Sequence, residues 1–176
     1  MTDDKIELIY DDKELENFRK DILAGNLCDI FLPVSFIDAD GKTGAVYDTK
    51  GYSRFLDLKN VSASTLIGAV TSILDKSRQA ERRYFFTDEY SLDPSLLFVN
   101  DRIPDAALIY RKTKCRNKKQ VLEDLKTILT PENGVEPKGE DFIRKAKFIL
   151  SDVHKSYEVI LHDLMALGTE AFRAEC

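Results

Sequence analysis

The sequence predicts an α+β domain, and three observations predict it. Short strand-like segments cluster before residue 60 and again around residue 100. Long amphipathic helical stretches lie between and after them. Strands mostly precede helices instead of alternating with them, which disfavours a doubly wound parallel sheet. The 176 residues suit one domain with a helical extension. Such a chain can bury roughly 70% of the surface its unfolded form exposes, so it needs neither disulfide nor metal to fold. Hydrophobic residues at 43% and charged residues at 32% fit a folded chain and not a largely disordered one.

The first element is Lys5–Tyr10, whose polar–apolar alternation predicts a strand. Asp11-Asp12 then offers a cap for a helix with Leu15, Phe18, Ile22 and Leu23 at helical spacing, stopped at Gly25-Asn26. Ile30–Ile37 is β-rich but holds Pro33, which has no N–H for a ladder. The segment is therefore an edge strand, or a strand that starts at the proline. Asp38-Ala39-Asp40-Gly41 is turn chemistry, and Gly44–Tyr47 returns as the second strand of a hairpin. Phe55–Leu58 is a further short extended piece.

Ser62–Ser77 predicts a long helix, capped by Ser62 or Ser64, with Leu66, Ile67, Val70, Ile73 and Leu74 on one stripe. Tyr84-Phe85-Phe86 is a short aromatic strand or the helix end, and fits a core layer better than an exposed patch. Leu96–Val99 and Ala106–Tyr110 predict an antiparallel hairpin around an Asn100-Asp101 turn. Val121–Leu129 is an amphipathic helix. The sequence thus divides into an α+β unit over 1–130, a linker over 131–140 (PENGVEPKG at its heart), one long helix over 141–168 and a frayed tail over 169–176. The long helix rests on Phe142, Ala146, Ile149, Val153, Tyr157, Ile160 and Leu164, spaced by three or four, with Gly168 as its stop.

The chemistry of the sequence is mostly negative. With 26 Lys and Arg against 31 Asp and Glu the net charge is −5, which does not drive the chain as a whole onto nucleic acid or anionic lipid. Cys28, Cys115 and Cys176 are odd in number and form no C-x-x-C pair, so a reducing cytoplasm is the expected compartment. The first residues are too acidic for a signal peptide, and no apolar run reaches the roughly 18 residues of a membrane helix. There is no G-x-G-x-x-G and no G-x-x-x-x-G-K-[ST]. His154 and His162, on one helix, would lie about 12 Å apart along its axis, too far to share a metal. DADGKTGAVYDT lacks the closing acidic ligand of a calcium loop. No catalytic, cofactor or metal residues are therefore expected. The strongest charge feature is the run Arg111, Lys112, Lys114, Arg116, Lys118 and Lys119. It suits an acidic or phosphorylated protein partner, or simply a solvated loop, and without interleaved aromatics it offers no stacking platform for bases.

Two segments carry a family resemblance. ILAGNLCDIFLPVSFIDADGKTGAVYDTKGYSRF over 22–55, with the helix through Leu74 followed by YSLDPSLLFVN and a strand ending at Tyr110, resembles a bacterial domain family of unknown function. Its members often sit N-terminal to forkhead-associated phosphopeptide-binding domains. That family is in turn distantly similar to the cytosolic pseudokinase domain of the type VII secretion membrane protein. The resemblance covers about residues 5–110 and implies a reduced kinase-like fold. On a kinase register the helix from Ser62 leads to Ser91 in the catalytic aspartate's place and Leu96 in the metal-binding asparagine's. Serine is a far weaker base than a carboxylate, and leucine has no oxygen for Mg²⁺. After the hairpin there is no D-F-G; the nearby aspartates are in Asp101-Arg102-Ile103 and Pro104-Asp105-Ala106. No glycine-rich loop and no V-A-I-K lysine is present, and nothing nominates a glutamate partner for Lys50.

The resulting expectation is a non-catalytic cytoplasmic interaction or scaffolding module in bacterial signalling or secretion. Two alternatives stand beside it: a nucleotide-dependent enzyme with an unrecognised site, and a helix-mediated oligomerisation module, which would make the chain a homodimer.

Overall fold

A computed structural model describes residues 4–11, 13–100 and 102–176. Two small antiparallel sheets and a set of helices make an α+β fold, as the sequence predicts. Strands β1 (Lys5–Asp11), β2 (Val34–Ala39) and β3 (Lys42–Asp48) form the first sheet in the order β1-β3-β2. Its inner face carries Tyr10, Val34, Ala45 and Tyr47, all buried, because alternate residues of each strand point the same way. Asp40 (φ 52°) and Gly41 (φ 72°) both take left-handed conformations, which a two-residue hairpin turn needs to match the strand twist. β2 begins directly after Pro33 and lies at a sheet edge, and the Pro33 carbonyl accepts from the Asp48 N–H at 2.8 Å.

Helix α1 (Asn17–Ala24) starts later than predicted, with Glu16 at its cap and no side-chain cap bond. Asp12, half of the predicted cap, lies outside the described residues. After α1 the chain turns at Asp29-Ile30, and a parallel bridge of Phe31 to Leu108 joins the two sheets. Leu32 donates its N–H to the Leu108 carbonyl at 3.0 Å, and Leu108 donates to Ile30 at 2.7 Å. The second sheet contains β4 (Ser53–Arg54), β5 (Leu97–Asn100) and β6 (Asp105–Leu108) in that order. β5 and β6 pair antiparallel as predicted, although β6 stops two residues short of Tyr110 and Asp101 of the predicted turn lies outside the described residues. Phe55–Leu58 is not extended. Phe55–Asp57 is a 3₁₀ turn that buries Phe55.

Helix α2 (Ala63–Ala80) is the centre of the fold. Ser62 caps it by accepting from the Thr65 N–H at 3.2 Å, and the predicted stripe is buried throughout. Tyr84-Phe85-Phe86 is not a strand; it closes the helix end, where α2 runs on through a 3₁₀ turn over Glu81–Arg83 and Phe85 donates its N–H to the Ala80 carbonyl at 3.2 Å. Tyr84 is left-handed at φ 63°, and of the three rings only Phe85 enters the core. Helix α3 (Lys118–Ile128) opens on a reciprocal Asn117–Gln120 capping box and buries Val121, Leu122, Leu125 and Ile128.

The predicted single helix over 141–168 is two helices, α4 (Glu140–Ile149) and α5 (Tyr157–Glu175). The chain breaks over residues 150–156 and restarts where Ser156 accepts from the Val159 N–H at 3.3 Å. His154 therefore lies in the break and not on a helix with His162. Gly168 is no stop. It sits inside α5, where an added Cβ would stand 3.2 Å from Ile67 Cγ2, so it lets α5 approach α2 closely. The predicted tail is helical to Glu175, whose carboxylate accepts from the Ser64 N–H at 3.1 Å and from its hydroxyl. That carboxylate sits at the positive end of α2.

The predicted linker is packed. Val135 bridges to Val61, Glu136 donates its N–H to the Val61 carbonyl, and Asn133 donates to the carbonyls of Leu56 and Leu58. No helix among the described residues is long and apolar enough to cross a membrane.

Candidate functional site

Three tyrosines meet where the first sheet faces the end of the hairpin. Tyr10 is on the inner face of β1, Tyr47 is on β3, and Tyr110 lies two residues past β6; all are fully buried. The Tyr10 and Tyr47 hydroxyls are 2.6 Å apart, and Tyr10 also donates to the Tyr110 carbonyl at 2.5 Å. Arg19 of α1 completes the cluster. Its Nη1 donates to the Tyr110 hydroxyl at 3.1 Å, and its Nη2 pairs with Glu89. Arg19 is 7% exposed, an unusual place for a guanidinium, and the phenol and carboxylate are what make it tolerable there.

The electrostatics follow from burial. Burial pushes the Tyr10 phenol up to about 12, against a smaller opposite pull from the Tyr47 hydroxyl and Arg111. Burial likewise raises the Tyr47 and Tyr110 phenols. Burial works against the Arg19 charge, but its bonds to Tyr110 and Glu89 outweigh that and raise its pKa. The cluster therefore holds neutral phenols around one fixed cation at neutral pH.

Beside it lies an aromatic layer. Phe31 has its ring centroid 5.1 Å from Phe85, 5.1 Å from Tyr90 and 5.4 Å from Tyr110, mostly edge to face. Ser91 and Leu96 are held in the backbone leading into β5. Ser91 donates its N–H to the Arg111 carbonyl at 2.8 Å, and its hydroxyl accepts from the Asp93 N–H at 3.2 Å.

The basic run leaves the tyrosine cluster directly, and its six cations part company. Arg111 lies over the Tyr10 ring (4.9 Å to the centroid) and pairs with Glu14 at 3.5 Å. Arg116 is turned inward. It donates to the carbonyls of Thr87 and Tyr90 and pairs with Asp124, tying α3 to the segment leading into β5. Lys118 donates to the Lys155 carbonyl and lies 5.2 Å from the Tyr157 ring centroid. Lys112 is exposed, with Glu16 at 3.9 Å. Lys114 and Lys119 are exposed, with no ion pair among the described residues. The outward-facing part of the run is Lys112, Lys114 and Lys119. Sequence alone could not make this division, because the carbonyls that occupy Arg116 and Lys118 lie 26 to 37 residues away in the chain.

A second polar cluster was not visible in the sequence. Asp105, at the start of β6, accepts from Lys76 at 2.5 Å, Tyr52 at 2.8 Å and Ser72 at 2.9 Å. It lines a groove of about 770 Å³ between α2, α5 and the β5–β6 connection. Burial raises the Asp105 pKa, but the bonds from Lys76, Tyr52 and Ser72 overcome this and hold it below the ordinary carboxylate value. A depressed native pKa stabilises the fold above the unfolded value of about 3.9 and loses that contribution as pH falls through the native value. Asp105→Asn is thus expected to destabilise the chain at pH 7 and to flatten the acid limb of its stability curve below about pH 4, read by circular dichroism against pH.

Cys28, Cys115 and Cys176 are free thiols, the last two exposed. Among the described residues, no group of three or more His, Cys, Asp or Glu comes together to hold a metal ion. A scan against protein-family models and a search of curated proteins return no match to this chain.

Proposed function

We propose that the chain is a non-catalytic protein-interaction or scaffolding module on a reduced kinase-like fold, acting in the cytoplasm in bacterial signalling or secretion. The observation that carries this reading is the identity of the buried cluster. In a protein kinase the strand before the first helix supplies a lysine, that helix supplies its glutamate partner, and the segment after the hairpin supplies the metal-binding aspartate. On this reading the corresponding elements supply Tyr10, Arg19 and Tyr110, with Tyr10 and Arg19 each bonded to Tyr110. A phenol cannot neutralise a phosphate as lysine does. A buried guanidinium repels Mg²⁺, and Tyr110 has no carboxylate to bind it. The chemistry of phosphoryl transfer is replaced by a network that fixes α1 against both sheets.

The partner on this reading is an acidic or phosphorylated protein segment that meets Lys112, Lys114 and Lys119. Arg111, Arg116 and Lys118 are already occupied within the chain. Binding of phosphoserine and phosphothreonine peptides, measured by fluorescence polarisation, should weaken at least about tenfold in the triple variant K112E/K114E/K119E, and should weaken as salt is raised. Unchanged binding would remove the basic run from the proposal. Mg·ATP is expected to leave the melting temperature unmoved. A ligand at 100 times its Kd stabilises by about 2.7 kcal/mol, so a clear shift would favour the nucleotide-dependent enzyme instead.

A further inference from the structure

Glu16 stands between two cations and is hydrogen-bonded to neither. It is the cap residue of α1, but its side chain makes no cap bond, so the carboxylate is not committed to the helix. One oxygen lies 3.9 Å from Lys112 Nζ and the other 3.6 Å from Arg19 Nε. Both distances exceed the roughly 3.2 Å limit of an N–H···O hydrogen bond. Arg19 Nε is the unusual atom. It is buried and has no hydrogen-bond partner, while Nη1 and Nη2 of the same guanidinium are bonded to Tyr110 and Glu89. A buried donor left unbonded is costly, and the carboxylate that could meet it is drawn toward Lys112.

Glu14 acts beside it. Its N–H donates to the Asp11 carbonyl at 2.9 Å, and its carboxylate accepts from the Asp11 N–H at 3.1 Å. This tight turn aims the carboxylate at Arg111, 3.5 Å away. Glu14 and Glu16 therefore cover the first two cations of the basic run. Arg116 and Lys118 are locked by carbonyls of their own chain, and Lys114 and Lys119 have no ion pair among the described residues. The run thus has a covered end and an open end. The cover is loose, because solvent-exposed ion pairs are individually weak. A phosphoryl group carries a charge of about −1.5 to −2 at pH 7, more than either carboxylate, so it outcompetes them for the same cations.

We propose that Glu14 and Glu16 are a built-in competitor for the phosphorylated segment that the basic run binds, and that Glu16 is the moving part: a phosphate arriving on Lys112 repels it onto Arg19 Nε. The inference rests on the basic run as the partner's contact. It adds two properties to that contact. The affinity of the run is held below what its cations alone would give. Occupancy of the exposed run is also felt at the buried cluster, because the displaced Glu16 supplies the bond that Arg19 Nε lacks. By linkage, whatever holds Glu16 on Arg19 strengthens phosphate binding by the same factor.

Fluorescence polarisation with phosphoserine and phosphothreonine peptides tests the competitor. E14Q/E16Q removes both charges and keeps the size and an acceptor oxygen of each side chain, so it should fold as the parent does by circular dichroism. It should bind the peptides about fivefold more tightly, the gain expected from releasing two weak exposed pairs. E132Q/E136Q is the charge-matched control. It removes two exposed carboxylates beside the start of α2, whereas Arg116 of the basic run is bonded to Thr87, past that helix's far end. It should change affinity less than about 1.5-fold, because charges so far apart are screened. Two-dimensional ¹⁵N–¹H NMR tests the movement. The Arg19 Nε–H resonance should move downfield as the parent is saturated with peptide, and Glu16→Gln should abolish that response. A parent that binds while E14Q/E16Q gains nothing, or gains no more than E132Q/E136Q, overturns the competitor and leaves the basic run as the contact. No binding by the parent or by E14Q/E16Q overturns both. Binding by E14Q/E16Q alone is the competitor at full strength. An Arg19 resonance that ignores the bound peptide overturns the movement of Glu16.

Discussion

Phe31→Ala is expected to lower the unfolding free energy by about 4 kcal/mol, within the 3–5 kcal/mol typical of Phe→Ala in a core. The ring is 3% exposed and touches three other buried rings, so its removal takes away both transfer energy and edge-to-face contacts. The neighbours cannot collapse into the space. The backbone on either side of Phe31 is bonded to Leu108, and Tyr110 is pinned by Tyr10 and Arg19. Phe31→Leu fills most of the volume and should cost about 1 kcal/mol. Urea unfolding checks both, with a shifted midpoint and an unchanged m-value. A loss of under about 1 kcal/mol for the alanine variant would mean that the aromatic layer repacks.

Arg19→Ala is expected to cost about 3 kcal/mol. It strands Glu89 and the Tyr110 hydroxyl without their donor, and removing one member of a buried pair costs far more than the pair's net contribution. Arg19→Lys is the informative control. An ammonium is a point charge on a flexible stem, so it can reach one of the two acceptors but not hold both in a fixed fork. It should recover part of the loss. If Lys and Ala cost the same, the geometry of the fork carries the interaction; if Lys costs nothing, charge alone does. Equilibrium unfolding of both variants decides between these, and a near-neutral Arg19→Ala would show that the cluster does not tie α1 to the sheets.

These two sites also show what the sequence could and could not disclose. The β2–β3 hairpin was legible because Asp40-Gly41 announces its left-handed turn locally. Helix α2 was legible because Ser62 and a stripe of apolar residues lie within one window. The break between α4 and α5 was not. Leu150 is buried and Val153 half-buried, so apolar side chains keep their three-to-four spacing straight through the turn. Only Ser151, Asp152 and Ser156 marked it, by competing for backbone hydrogen bonds. The tyrosine cluster was out of reach. Tyr10, Tyr47 and Tyr110 each read as ordinary strand residues, and their partners lie 37 to 100 residues away. Charge counting found the basic run but could not know that Arg116 is committed to the carbonyls of Thr87 and Tyr90.

The segment over 131–139 has a mechanical consequence. A tether of that composition would let α4 and α5 swing independently. Held at Asn133, Val135 and Glu136, and closed at the far end by Glu175 on Ser64, it has no slack. Torque applied to the outer face of α5 therefore turns α2 with it. Because α2 carries Ser72 and Lys76, two of the three side chains that grip Asp105, the load arrives at the hairpin of the second sheet. The C-terminal helices act as a lever on the sheet and not as a flag on a string.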